Sequence, residues 1–258
     1  MKPAALKHAI PYIVSVLILG CIIALANYFL GSALAPSPKT ILVTLGNLAK
    51  DGELFNELGI TLMRGIAGIL LANIIGVALG LAAGVIPHAL RLISPLVAAL
   101  QACPAIVWIA LVMVFAGTGS LVPVITVFAA TFPFVFSSTA QGMMGLNRRL
   151  FAMSHLYHVD RIKILKQLVL PGIMPYWLAA FSTVLATGWK VAAVAEFLGS
   201  HEGIGARIFW SYRRLNMEDL NAWALTLILL GVILECAVIM PLRKRAARLE
   251  TKGAIIHG

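Results

Sequence analysis

Residues 150–171 read Leu-Phe-Ala-Met-Ser-His-Leu-Tyr-His-Val-Asp-Arg-Ile-Lys-Ile-Leu-Lys-Gln-Leu-Val-Leu-Pro, and after an apolar run residues 195–205 read Ala-Glu-Phe-Leu-Gly-Ser-His-Glu-Gly-Ile-Gly. In the first stretch Ile162, Leu165, Leu168 and Val169 interleave with Arg161, Lys163 and Lys166 at helical spacing, which predicts an amphipathic, cationic element. Asp160 stands where a helix N-cap would accept a backbone N–H. Long hydrophobic runs flank the element on both sides, so the chain leaves an apolar phase to build it. A generic helix lying on anionic lipid and a surface that docks a partner both fit this pattern.

The hydrophobic runs decide the fold class. Of 258 residues, 60% are hydrophobic and only 12% charged, with a mean hydropathy of +0.95, against roughly half apolar and a quarter charged in soluble domains. A bilayer is crossed by about 20 apolar residues in a helix, because only a helix satisfies its own backbone in lipid. Six segments qualify, at about 10–32, 58–86, 92–116, 120–143, 171–198 and 221–242. The expected fold is therefore all-α, a polytopic membrane helix bundle of about six transmembrane helices with the amphipathic element in one loop. The chain divides into an N-terminal anchor helix with an external loop (1–57), a core (58–245) and a C-terminal tail (246–258). The first span is long enough to cross, and no small-x-small cleavage site follows it, so it reads as an anchor rather than a signal peptide.

Charge sets the orientation. Lys2, Lys7, Arg91, Arg148, Arg149, Arg161, Lys163, Lys166, Arg243, Lys244, Arg245, Arg248 and Lys252 are 13 of the 20 Lys and Arg, and all fall on one side with only Asp160 and Glu250. The other side mixes signs, with Asp51, Glu53, Glu202, Glu218 and Asp219. Loops rich in Lys and Arg face the cytoplasm, so both termini are expected there. Orientation thus explains the net charge of +10, and nucleic acid is not needed as a partner. Cys21, Cys103 and Cys236 lie far apart in apolar runs and read as buried free thiols without metal or redox spacing.

Several residues inside the spans are candidates for function. Gly76, Gly80 and Gly84 line one face of span two and would let a neighbouring helix approach, either within the subunit or across an interface. Arg64, near the outer end of that span, reads as a snorkelling anchor or as a contact for a solute. Pro104, followed by Trp108, bends span three, as a structural kink or as a pore-lining device; Phe132-Pro133-Phe134 repeats the pattern in span four. Trp189-Lys190 and Glu196 lie in span five. Six residues is about 600° of rotation, so Lys190 and Glu196 do not share a face and each requires another partner. Glu196 at the outer boundary suits hydrogen bonding to the glycine-rich loop after it, and the deeper Lys190 suits an anionic solute. Glu235 in span six has no evident partner. No phosphate-cradling glycine loop with its lysine, no nucleophile elbow and no metal-ligand spacing is present, so the chain is expected to be no enzyme, with no cofactor, no metal and no catalytic residue.

These residues together resemble the permease of type I ABC importers, in the nitrate, sulfonate and taurine branch, over roughly 58–245. Thr61-Leu62-x-Arg64 with Gly68, Gly76, Gly80 and Gly84 matches the second span; Pro104, Trp108, Gly117 and Gly119 the third; Phe132-Pro133 with Thr139-Ala140-x-Gly142 the fourth. Ala195-Glu196-x-Leu198-Gly199 followed by Gly203-Ile204-Gly205 is the most specific signature. The resemblance implies a dimer with a second permease subunit, alike or different, in the inner membrane. Separate ATPase subunits and an extracytoplasmic solute-binding protein would complete the importer. It also implies that residues 152–171 form the coupling helix. The family's coupling motif is Glu-Ala-Ala, three residues, Gly, nine residues, then Ile-x-Leu-Pro. Ala152, Met153 and Ser154 stand at the Glu-Ala-Ala positions, His158 at the glycine, and Leu168-x-Leu170-Pro171 keeps the Leu-Pro end. The translocation path is assigned to Pro104, Trp108, Trp189 and Lys190, with Arg64 and Glu196. The alternative from another class, an ATP-independent channel or secondary carrier, requires carboxylates that relay ions near the midplane, and Glu235 alone is available; inverted repeats are also absent.

Overall fold

The computed structural model of the chain describes residues 36–257 together with Leu25, 27–29 and Gly31. The span expected at 10–32 lies outside the described residues except for those few. The described residues hold four helices long and apolar enough to cross a membrane, and a fifth crossing if one bent helix pair is a single span. They contain helices and no strands.

The elements run α1 (Pro38–Lys50), α2 (Glu53–Val85), α3 (Pro87–Ala102), α4 (Ala105–Ala116), α5 (Leu121–Met144), α6 (Arg148–Leu156) and α7 (Arg161–Ile164). A π-helical turn (Leu165–Val169) leads into α8 (Leu170–Gly199). Next come α9 (Ile204–Arg213), α10 (Met217–Leu234), a second π-helical turn (Glu235–Ile239) and α11 (Met240–His257). Helix α1 was not foreseen in the external loop. Ser37 caps it by accepting the Thr40 N–H at 3.2 Å, Pro38 sits in the first turn, and Ile41 is buried as the helix packs on α10. Helix α2 also starts at Glu53, earlier than the expected residue 58.

Helix α5 is the centre, packed between α2 and α8. Val122, Val127, Val135 and Phe136 are at most 2% exposed. Thr126 and Thr131 satisfy their hydroxyls on the carbonyls of Val122 and Val127, each at 2.7 Å. The glycine stripe of α2 faces this helix. A Cβ on Gly80 would lie 2.8 Å from the carbonyl oxygen of Phe136, and one on Gly76 2.9 Å from the Cβ of Val135. The stripe therefore serves packing within the subunit. The outward faces are apolar, with Phe115 85%, Leu92 73% and Ile74 68% exposed, which suits lipid or a partner and not water.

Three expectations need correction. Span three is not one kinked helix: α3 and α4 meet at 96° around Cys103-Pro104. Proline removes an N–H and clashes with the preceding turn, and here the helix breaks outright, with Pro104 as the N-cap of α4. The loop 150–171 is not one amphipathic helix ending at Pro171. Only Arg148–Leu156 forms a separate short helix, and from Arg161 the chain is helical to Gly199. The π-helical turn absorbs Pro171: Leu170 N–H reaches back five residues to Leu165 O. The same device precedes Pro241, where Met240 N–H bonds Glu235 O. Finally, the thiols are not all buried: Cys103 is half-buried and Cys236 exposed, since an apolar outer face needs no burial to hold a thiol. Cys21 lies outside the described residues.

Candidate functional site

One end of the bundle carries a buried polar network built on a single face of α2. Glu57, Thr61 and Arg64 are spaced i, i+4, i+7 and are 1%, 1% and 6% exposed. Arg64 is thus not a snorkelling anchor. Its Nη1 donates to Glu196 Oε1 at 3.1 Å, to Ser200 Oγ at 3.0 Å and to the Glu202 carbonyl at 2.7 Å. Its Nη2 donates to Ser120 Oγ at 2.8 Å and to Glu202 Oε2 at 3.5 Å. The two Nη atoms carry four N–H groups between them, so Nη1, with three acceptors, shares one N–H between two of them.

Glu196, 0% exposed, accepts from Thr61 Oγ1 at 2.8 Å and from Gly205 N–H at 3.3 Å, so the expected bonding to the glycine-rich loop is present. Thr61 also accepts the Ile204 N–H at 2.9 Å, and Glu57 accepts the Gly203 N–H at 2.5 Å and Arg207 Nη2 at 2.8 Å. Three successive N–H groups that open α9 are thereby satisfied by side chains of α2 and α8, two of the acceptors being carboxylates, as the positive end of a helix favours. Gly203 has φ +97°, and a Cβ there would collide with the Glu196 carboxylate; one on Gly205 would collide with the Ala193 carbonyl. The Gly-Ile-Gly spacing is the imprint of this close approach. Sequence reading did not single out Glu57 and Arg207. The i, i+4, i+7 spacing of Glu57, Thr61 and Arg64 was the available signal.

At the other end, α6 is capped by Asn147, whose Oδ1 accepts the Arg149 N–H at 2.9 Å, and stops in a Schellman motif. Val159 N–H bonds Ser154 O, His158 N–H bonds His155 O, and His158 adopts φ +49°. That left-handed position is the one glycine normally fills. Ala152, Met153 and His158 are exposed and Ser154 half-buried; Leu150, Met153, Leu156 and Tyr157 present apolar surface there. Leu168, Leu170 and Pro171 belong instead to the rising helix, half-buried to exposed. Asp160 occupies the N-cap of α7 but its side chain makes no capping bond.

The remaining path residues fall in two other places. Trp189 lies against Gly231 of α10, where a Cβ would approach its ring to 2.6 Å. Lys190 is exposed, with Nζ 5.6 Å from the Trp189 ring centroid, at the rim of an apolar groove with Val194, Leu198 and Leu227. Pro104 and Trp108 are at the α3–α4 break; Trp108 Nε1 is buried without a partner. Glu235 accepts from Arg243 at 3.0 Å, the partner that the sequence did not reveal. Among the described residues no cluster suits a metal ion.

The family described as "Binding-protein-dependent transport system inner membrane component" matches residues 76–242. The putative aliphatic sulfonates transport permease protein of Bacillus subtilis (strain 168) is 27% identical over 173 residues, 67% of this chain and 63% of that protein's length. The taurine transport system permease protein of Escherichia coli (strain K12) is 23% identical over 175 residues, 66% of this chain and 64% of its own. The chain thus spans under two thirds of these relatives. An inward-facing structure of the MetNI methionine ABC transporter matches with a TM-score of 0.60 and 17% identity, over 72% of this chain and 92% of that one; at that identity the likeness is one of fold.

Proposed function

Because the chain belongs to the binding-protein-dependent transport system inner membrane component family, we propose that it is the permease subunit of an ABC importer. Two permease subunits, this chain with a copy or a related chain, enclose the path. ATPase subunits dock on the cytoplasmic side and an extracytoplasmic binding protein delivers the solute. The chain itself hydrolyses nothing. Both termini are cytoplasmic, on the charge asymmetry given above.

The observation that carries this reading is α6, a short helix set off from the bundle by its own caps, with apolar side chains outward and a rigid helix rising from it. Such an element can seat in a partner and transmit displacement into α8, biasing a two-state equilibrium of the cavity. Ala152, Met153, Ser154 and His158 belong to the docking unit, and Leu168, Leu170 and Pro171 to the lever. Lys190 stands nine residues inside the end of α8, about 14 Å at 1.5 Å per residue. A charge at that depth does not face lipid, so the Lys190–Val194–Leu198 face turns to the second permease and the shared path, where it would favour an anionic solute. The bent α3–α4 pair with Pro104 and Trp108 walls the path. Arg64 and Glu196 are satisfied within the buried network and hold the outer ends of the helices in place. The sulfonate and taurine relatives make small organic anions the first solutes to try.

Affinity purification of the tagged chain from its native membrane tests this reading. It should retain an ATPase subunit, and Leu150→Asp with Met153→Asp should lose that subunit while the permease stays folded. Recovery of the chain with no ATPase would refute the assignment.

A further inference from the structure

Where α2 and α5 end and α3 and α6 begin, the bundle leaves a cavity of about 600 Å³ whose lining includes Arg91 and Arg148 and the apolar side chains of Val85, Leu90, Met143 and Phe151. Its lining holds no carboxylate, and among the described residues neither arginine forms a salt bridge. This contrasts with Arg64, Arg207 and Arg243, each of which is paired. The surrounding surface is apolar, with Val85 61%, Ile86 51% and Met144 49% exposed. Helix α2 ends at Val85 and α5 at Met144, and with both helices set across a bilayer the cavity falls toward the headgroup end of the bundle.

Two uncompensated guanidinium groups at a bilayer surface beside an apolar recess form a two-part site. We propose that this cavity binds an anionic phospholipid, Arg91 and Arg148 taking the phosphodiester and the Val85, Leu90, Met143 and Phe151 wall taking the first part of an acyl chain. Guanidinium suits phosphate because it offers paired N–H donors in one plane. Basic pockets between membrane helices on the cytoplasmic side are a recognised setting for such headgroups. A free inorganic anion would meet the arginines but leave the apolar wall wet, and zwitterionic lipid would gain little from two cations. The bound lipid would tie α6 to the ends of α2 and α3, making the docking helix responsive to membrane composition. The site rests on the membrane placement of these helix ends and not on the identity of the docked partner.

The test uses the purified full chain in uncharged detergent, with bound lipid read by native mass spectrometry. Dioleoylphosphatidylglycerol should be retained at least about tenfold better than dioleoylphosphatidylcholine. Arg91→Gln with Arg148→Gln should weaken it roughly twenty-five-fold, about fivefold for each arginine, and Arg148→Gln alone by about fivefold. Arg213→Gln with Arg214→Gln, at the opposite end, should change nothing. The variants should melt at the wild-type temperature in lipid-free detergent. Equal retention of phosphatidylcholine, unchanged retention by the double variant, or displacement of the lipid by millimolar inorganic phosphate would overturn the proposal. So would loss of the ATPase subunit from the double variant in lipid-free detergent, since the arginines would then serve a protein partner. ATPase retention by the wild type is read separately, so failure of the lipid site leaves the permease reading standing.

Discussion

Arg64 is the residue on which most of its end of the bundle depends. It reaches α8 through Glu196, the α4–α5 connection through Ser120 and the α8–α9 connection through Ser200 and Glu202. Removing one member of a buried ion pair leaves the other charge unpaired and costs about 3–5 kcal/mol. Arg64→Met should therefore cost about that much in thermal unfolding in detergent. Glu196→Met added to it should cost clearly less than the sum of the single changes, with a coupling of about 1–3 kcal/mol; strict additivity would mean that the pair does not interact. Two other residues stand out by backbone. His158 (φ +49°) and Leu215 (φ +56°) are the non-glycine left-handed residues among those described, and both close Schellman motifs. The left-handed region costs an L-residue about 1–2 kcal/mol, and histidine tolerates it better than leucine. Leu215→Gly should raise stability by about 1 kcal/mol, and His158→Gly by less, in the same unfolding measurement.

Helix α2 shows what an element-level reading of sequence can and cannot reach. Its glycine stripe was legible because four-residue spacing of small side chains survives any neighbour, but which neighbour fills it was not, since internal and intersubunit packing use the same pattern. The structure places α5 there. Gly80→Val should then cost at least about 1–3 kcal/mol through overpacking. Gly59→Ala in the same helix, with nothing within 4 Å of the added Cβ, should instead gain about 0.5–1 kcal/mol from helix propensity. Equal effects at the two positions would contradict the packing. The break at Pro104 was visible as a bend, but not its size, because a proline fixes the lost hydrogen bond and not the angle that packing then selects. The helical rise from Arg161 through Pro171 was missed for a different reason. A π-helical turn absorbs a proline that normally marks an end, and nothing in the composition of Leu165–Val169 announces it. Of the outer network, the Glu196 signature and its bond to the loop were readable, whereas the acceptance of the Gly203 N–H by Glu57 spans 146 residues of sequence.

For the whole molecule, the buried polar network and α6 lie toward opposite ends of the same long helix α8, so a helix held at one end would receive any displacement of α6 at the other. The ATPase docking proposed for α6 requires it on the cytoplasmic side. A topology reporter placed after Lys252 should read cytoplasmic and one within residues 50–52 external, and the reverse would invert the scheme. In the proposed importer α6 couples ATP hydrolysis to solute movement. The most direct measurement of that coupling is ATP hydrolysis by the complete importer in liposomes, with this permease, its ATPase subunits and loaded binding protein on the external side. Hydrolysis should be stimulated by the loaded binding protein together with solute uptake, both lost in Leu150→Asp with Met153→Asp and both retained in Gly59→Ala. Uptake that persists without ATP, or stimulation that survives the α6 substitutions, would contradict that coupling.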